Sequence, residues 1–179
     1  MKNLIAVTLL LVVGSAQATT VTIDFTDPSI PSGGFGEEDF VTEGYLFSFD
    51  PMPFPDPYFT RLPGIVYCPG CVLNMESASS NTFDVSSFDG WVLSENAFFE
   101  VTGFLEGGGT VSATLASVSG ITQTYNLNWT GLTLLSIGNT NGTPTVVDSI
   151  TASQVPVPAA LWLFGSALAG LGWMKRKQA

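Results

Sequence analysis

Histidine is absent from the chain, which removes serine–histidine–aspartate and cysteine–histidine nucleophilic sites and every histidine-ligated zinc or iron centre. Basic residues are nearly as scarce. Of the five Lys and Arg, Lys2 lies at the start and Lys175, Arg176 and Lys177 near the end. Arg61 is therefore alone in the intervening body, against all fifteen Asp and Glu. Such a field repels nucleic acid, anionic polysaccharide and anionic lipid, and it favours divalent cations or neutral glycans. Charged residues of either sign make up only 11% of the chain, so much of the surface must be neutral and polar, built from the abundant Ser, Thr, Asn and Gly. Helical periodicity is nearly absent between residues 19 and 154, and a strand-based architecture is expected there.

Long apolar runs occur only at the two ends. Lys2, the run 4–13 and Ala16-Gln17-Ala18 have the order of a secretory signal peptide, with cleavage expected between Ala18 and Thr19. At the other end Val155-Pro156-Val157-Pro158 leads into the apolar run 159–173, followed by Lys175-Arg176-Lys177. The prolines mark where a helix begins, and the basic residues hold the far end on the cytoplasmic side of a membrane. Fifteen residues make a helix of roughly 23 Å against a hydrocarbon core of roughly 30 Å. A span that marginal suits a segment meant to be cut. The arrangement resembles the PEP-CTERM sorting signal of Gram-negative bacteria, with Val157 where the motif's name has Glu. That resemblance implies exosortase as a partner, anchoring in the cytoplasmic membrane through the C-terminal helix before processing, and a final place at the cell surface or in the extracellular matrix. An ordinary C-terminal anchor is the alternative. The expected partition is a signal peptide at 1–18, an extracellular domain at 19–154 and the sorting segment at 155–179.

Within the body, short β-prone segments recur at 21–26, 45–50, 82–86, 91–93, 98–104, 110–116, 121–127, 132–137 and 145–151. Breaks such as Gly107-Gly108-Gly109 separate them at the spacing of antiparallel strands. Along 98–104, Phe99, Val101 and Gly103 point one way and Phe98, Glu100, Thr102 and Phe104 the other. This segment is expected to form a hairpin with 110–116. Phe25, Phe47, Phe83, Phe99 and Phe104 are expected in the core. The pattern is an all-β, antiparallel jelly-roll β-sandwich, flanked by the signal peptide and a single transmembrane helix. The order of its motifs, ending in Asp148-Ser149-Ile150, is similar to a jelly-roll domain common among PEP-CTERM proteins and to galactose-binding-like and carbohydrate-binding-module sandwiches. The final triplet departs at Ser149, where those domains often carry Asn.

Candidate sites follow. Cys68-Pro69-Gly70-Cys71 lies in a Pro/Gly loop rather than at a helix start, and in an oxidising exterior it is expected to close a local disulfide. In the sandwiches that the body resembles, a structural calcium often sits between the first and last strands, which implies Asp24, Asp27 and Asp148 as ligands; Glu37-Glu38-Asp39 is the competing cluster. Trp91 and Trp129 are the candidate carbohydrate contacts, each with hydrogen-bonding neighbours. The run 51–57, with proline at alternate positions, reads as an extended spacer. No pair of carboxylates is singled out for glycosidic chemistry, so no catalytic residue is assigned. The leading function is a structural protein of the surface or polysaccharide-associated biofilm matrix. A non-catalytic glycan-binding module is the second reading, and a carboxylate-based carbohydrate-active enzyme the third.

Overall fold

The computed structural model describes residues 18–25, 39–50, 64–67, 70–140 and 143–155, all within one unit, Ala18–Val155. The signal peptide before Ala18, Asp27, Glu37, Glu38, the run 51–57, Cys68 and everything from Pro156 onward lie outside these residues. Among the described residues no helix is long and apolar enough to cross a membrane.

The described chain is all-β. Its strands are β1 (Thr20–Asp24), β2 (Phe40–Thr42), β3 (Tyr45–Asp50), β4 (Ile65–Tyr67), β5 (Val72–Ser77), β6 (Phe83–Val92), β7 (Phe98–Leu105), β8 (Thr110–Ala116), β9 (Gln123–Asn139) and β10 (Thr145–Gln154). They form one sheet in the order β1-β10-β6-β9-β5-β3-β2, with β4 also on β10 and the β7–β8 hairpin also on β9. Each pairing is antiparallel.

The sheet folds over on itself because β9 serves both of its halves. From Gln123 to Leu132 this strand pairs with β6, and from Leu132 to Asn139 it lies between β5 and β7. Left-handed backbone at Asn128 and Gly131 (φ 53° and 68°) and register shifts on either side of Val85 mark the change of direction, as bulges do. Rings from the two halves then meet. Phe88 on β6 meets Phe99 on β7 edge to face at 5.1 Å, Phe83 on β6 meets Tyr45 on β3 at 5.5 Å, and Phe25, just after β1, meets Phe47 on β3 at 5.2 Å. These edge-to-face contacts add to the apolar burial that drives the closure.

Three differences from the sequence expectation have physical causes. Segments 82–86 and 91–93 are one strand, because Gly90 is a point of close approach: a Cβ there would come 2.5 Å from the Val146 carbonyl and 3.1 Å from the Phe99 ring. Segments 121–127 and 132–137 are likewise one strand, the bend being absorbed inside it. Phe104 is not core; it stands 39% exposed, on the outward side that its alternation with Gly103 dictates. The β7–β8 hairpin forms as expected, with Gly107, Gly108 and Gly109 all at positive φ. Strands β2, β4 and β5 add to the expected set.

Phe88 is 1% exposed, and it also stacks on Tyr125 at 4.9 Å. Phe88→Ala is expected to cost about 3–5 kcal/mol in urea unfolding. A loss below about 1 kcal/mol would mean that the two halves are not held together through this ring cluster.

Candidate functional site

Trp129 stands on β9 opposite Val85 of β6, one residue after the left-handed Asn128. Its ring finds room over Gly103 of β7, where a Cβ would come 3.0 Å from Trp129 Cε3 and 2.7 Å from Leu132 Cδ2. Trp129 is packed against the core but only partly buried. Around it Asp84, Ser86, Asn128, Thr130, Thr20 and Ser153 line a shallow depression of about 200 Å³. The bulge beneath is tied down from two sides. The Gly131 N–H donates to Asp84 Oδ1 at 2.8 Å, and Ser86 Oγ donates to the Thr151 carbonyl at 3.1 Å. Burial, with the Asp84 charge as a second cause, pushes the Tyr45 hydroxyl up to about 12. Tyr45 therefore stays neutral at all physiological pH values.

The lining also includes the aliphatic Val85 and Ala152, so it joins apolar surface and the Trp129 residue to hydroxyls, an amide and one carboxylate, and the described residues include no Lys, Arg or His. Aromatic faces take apolar C–H surface while hydroxyl and amide groups both donate and accept hydrogen bonds. That combination suits an uncharged, hydroxyl-rich ligand. Trp91 is not part of this depression. It lies opposite Val146, six positions along β6 from Val85, roughly 20 Å away at strand spacing. The structure therefore separates the two tryptophans, and it places both within strands.

The expected calcium residues come together in part. Asp24 at the end of β1 is opposite Ser149 of β10, and the Phe25 N–H donates to the Asp148 carbonyl at 3.0 Å. Ser149 is in turn opposite Asp89 of β6, a carboxylate that the sequence reading does not single out. Asp148 occupies the irregularity between Val147 and Ser149. Thr122 Oγ1 donates to its Oδ2 at 2.7 Å, while Ser149 Oγ donates to Asp89 Oδ2 at 2.9 Å. The Oδ1 atoms of Asp148 and Asp89 are buried and accept no hydrogen bond. Among the described residues, however, no group of three or more acids is placed to hold a metal ion, and Asp27 lies outside them. Of the cysteine pair, Cys71 is buried and disulfide-bonded, while Cys68 lies outside the described residues.

Desolvation raises the Asp148 pKa, the Thr122 hydrogen bond opposes the rise, and the charges of Asp89 and Asp24 add to it. An acid whose folded pKa lies above its unfolded value binds protons more tightly in the native state, so its ionisation opposes folding as pH rises through that window. Stability is expected to increase as pH falls from 7 toward the ordinary carboxylate value of 3.8, and Asp148→Asn is expected to flatten this part of the profile. Thermal melts between pH 4 and 7 check it; a wild-type profile that falls steadily on acidification, unchanged by the substitution, would show that Asp148 is not the source.

Comparison with known proteins adds two findings. Residues 154–177 match the PEP-CTERM protein-sorting motif. No curated protein matches the chain in sequence. Among solved structures, two single-site variants of CBM29-2, described as a family 29 carbohydrate-binding module, are similar. Both have a TM-score of 0.50 and 14% identity, covering 76% of this chain and 93% and 92% of theirs. At that identity the likeness speaks to the fold. A family two carbohydrate esterase from Cellvibrio japonicus reaches a TM-score of 0.38 at 16% identity, over 79% of this chain and 36% of its own, too slight a similarity to carry an argument. The chain thus bears a PEP-CTERM sorting motif at residues 154–177, behind an all-β body whose fold is like that of carbohydrate-binding modules.

Proposed function

We propose that the protein is an exported, non-catalytic glycan-binding component of the cell surface or extracellular matrix, its body a jelly-roll β-sandwich and its C-terminal segment a substrate of exosortase. The sorting motif supports export and processing, with the apolar run 159–173 as the membrane helix that holds the precursor until it is cut. The observation that carries the binding role is the depression around Trp129, which joins apolar surface from Val85, Ala152 and Trp129 to hydroxyl, amide and carboxylate groups in a body with almost no basic charge. Likeness to carbohydrate-binding modules supports the same reading. The matrix role follows from combining the two: a protein delivered to the exterior that holds polysaccharide contributes to its cohesion.

Calcium between the first and last strands is a further part of the proposal, with Asp24, Asp27 and Asp148 as the expected ligands. Its support is Asp148 Oδ1, a buried carboxylate oxygen that accepts no hydrogen bond. A melting temperature that is the same in calcium and in a chelator would remove this part.

Binding is tested with neutral soluble polysaccharides in affinity gel electrophoresis. Trp129→Ala is expected to weaken binding about tenfold, which is about 1.4 kcal/mol. Because Trp129 also touches the core, the exposed Thr130→Arg provides a second variant that obstructs the depression without altering the interior. Full retention of binding in both would place the ligand elsewhere; no binding by the wild type to any neutral polysaccharide would leave a purely structural role.

A further inference from the structure

Strand β7 turns its second face away from the core. Phe98 and Phe104 are 37% and 39% exposed at the two ends of this outward row, with Glu100 and Thr102 between them. Six residues of extended strand set the two rings roughly 20 Å apart. Register extends the row sideways into a surface. Thr102 is opposite Ser112 on β8 and Ser136 on β9, Ser136 is opposite Asn74 on β5, and Asn74 is opposite Ser48 on β3. One line across five strands therefore carries only hydroxyl and amide side chains, but Asn74 within it is buried and accepts from Ser136 Oγ at 2.6 Å, so the accessible part of the line is Ser112, Thr102 and Ser136. One neighbouring line holds Glu100 opposite Thr114 and Gly138, and the other holds Phe104, Leu134, Glu76 and Leu46.

This is not the composition of a face awaiting a protein core, which would be apolar throughout, nor of a surface for an anionic polymer, which these carboxylates would repel. Rings flanking a line of neutral donors and acceptors suit a second stretch of neutral sugar. The Trp129 depression belongs to β1, β10, β6 and the first half of β9. The outward row belongs to the other half of the folded sheet, on the side away from the shared core. We propose that the outer face of β8, β7 and the second half of β9 is a second binding surface for neutral polysaccharide, so that a single domain holds two glycan chains and cross-links them. This inference rests on the glycan-binding reading above. It makes the chain bivalent without a tandem repeat.

The test compares the mature wild-type protein with a Phe98→Ser/Phe104→Ser variant and with Thr102→Arg, which places a cation in the middle of the face. All three changes are at solvent-facing positions of β7. The probes are a neutral soluble polysaccharide that the wild type binds and a short oligosaccharide of the same sugar. Static light scattering of protein–polysaccharide mixtures reads bridging; calorimetry with the oligosaccharide counts sites. The wild type is expected to raise scattering well above the sum of its components and to take up two oligosaccharides. Both variants are expected to take up one, to lose the scattering rise, and to lose about a hundredfold in avidity for the polymer. A wild type that binds one oligosaccharide without bridging, or variants that bridge as the wild type does, would overturn this inference and leave the proposed function standing. A wild type that self-associates without polysaccharide, under conditions where both variants stay monomeric, would also overturn it by assigning the face to a second copy. A wild type that binds no neutral polysaccharide would overturn the proposed function and this inference together.

Discussion

A single continuous strand, β9, hydrogen-bonds to β6 along its first part and to β5 and β7 along its second. For one strand to serve both halves of a folded sheet, its backbone must turn without leaving the ladder. Left-handed residues at Asn128 and Gly131 supply the turn. The carboxylate of Asp84 holds it by accepting the Gly131 N–H, one of the backbone groups that a bulge would otherwise leave unpaired. The facing of Phe88 toward Phe99, the approach of Tyr45 to Phe83 and the position of Trp129 at the edge of the core all follow from this bend. The depression around Trp129 adjoins the bend, since Asp84 and Asn128 line the first and take part in the second.

Much of this is legible in the chain. Alternation along 98–104 and 110–116 predicts the hairpin and its two faces because a half-buried strand has a strict period of two. Absence of histidine and scarcity of basic charge narrow the chemistry before any coordinate is known. Strand β5 is hidden because its sequence, Val-Leu-Asn-Met-Glu-Ser, puts Asn and Glu on the outward side, where they read as loop residues beside a Pro/Gly turn. Asp89 is hidden for a related reason. Gly90 looks like a break, and only the close approach of Val146 shows that the strand runs through it.

The sites divide along the same line. Asp24 and Asp148 can be paired from sequence because the first and last strands of such folds are neighbours. Trp91 and Trp129 cannot be separated there, since their distance depends on the register of β6 against two partners. Residue type alone puts Phe104 in the core, although its own alternation with Gly103 points outward. In this body, residue type misleads where a strand has two occupied faces, and period is the better guide.

The last described residue, Val155, donates its N–H to the Thr82 carbonyl, so the end of β10 is tied to the residue that precedes β6. That strand is flanked by β6 on one edge and by β1 and β4 on the other. Tension arriving through the C-terminal segment would therefore run along an interior strand, perpendicular to its hydrogen bonds, and would have to shear two ladders together instead of peeling one bond at a time. A pull applied along β10 would thus meet two ladders, where one applied along an edge strand would meet a single ladder.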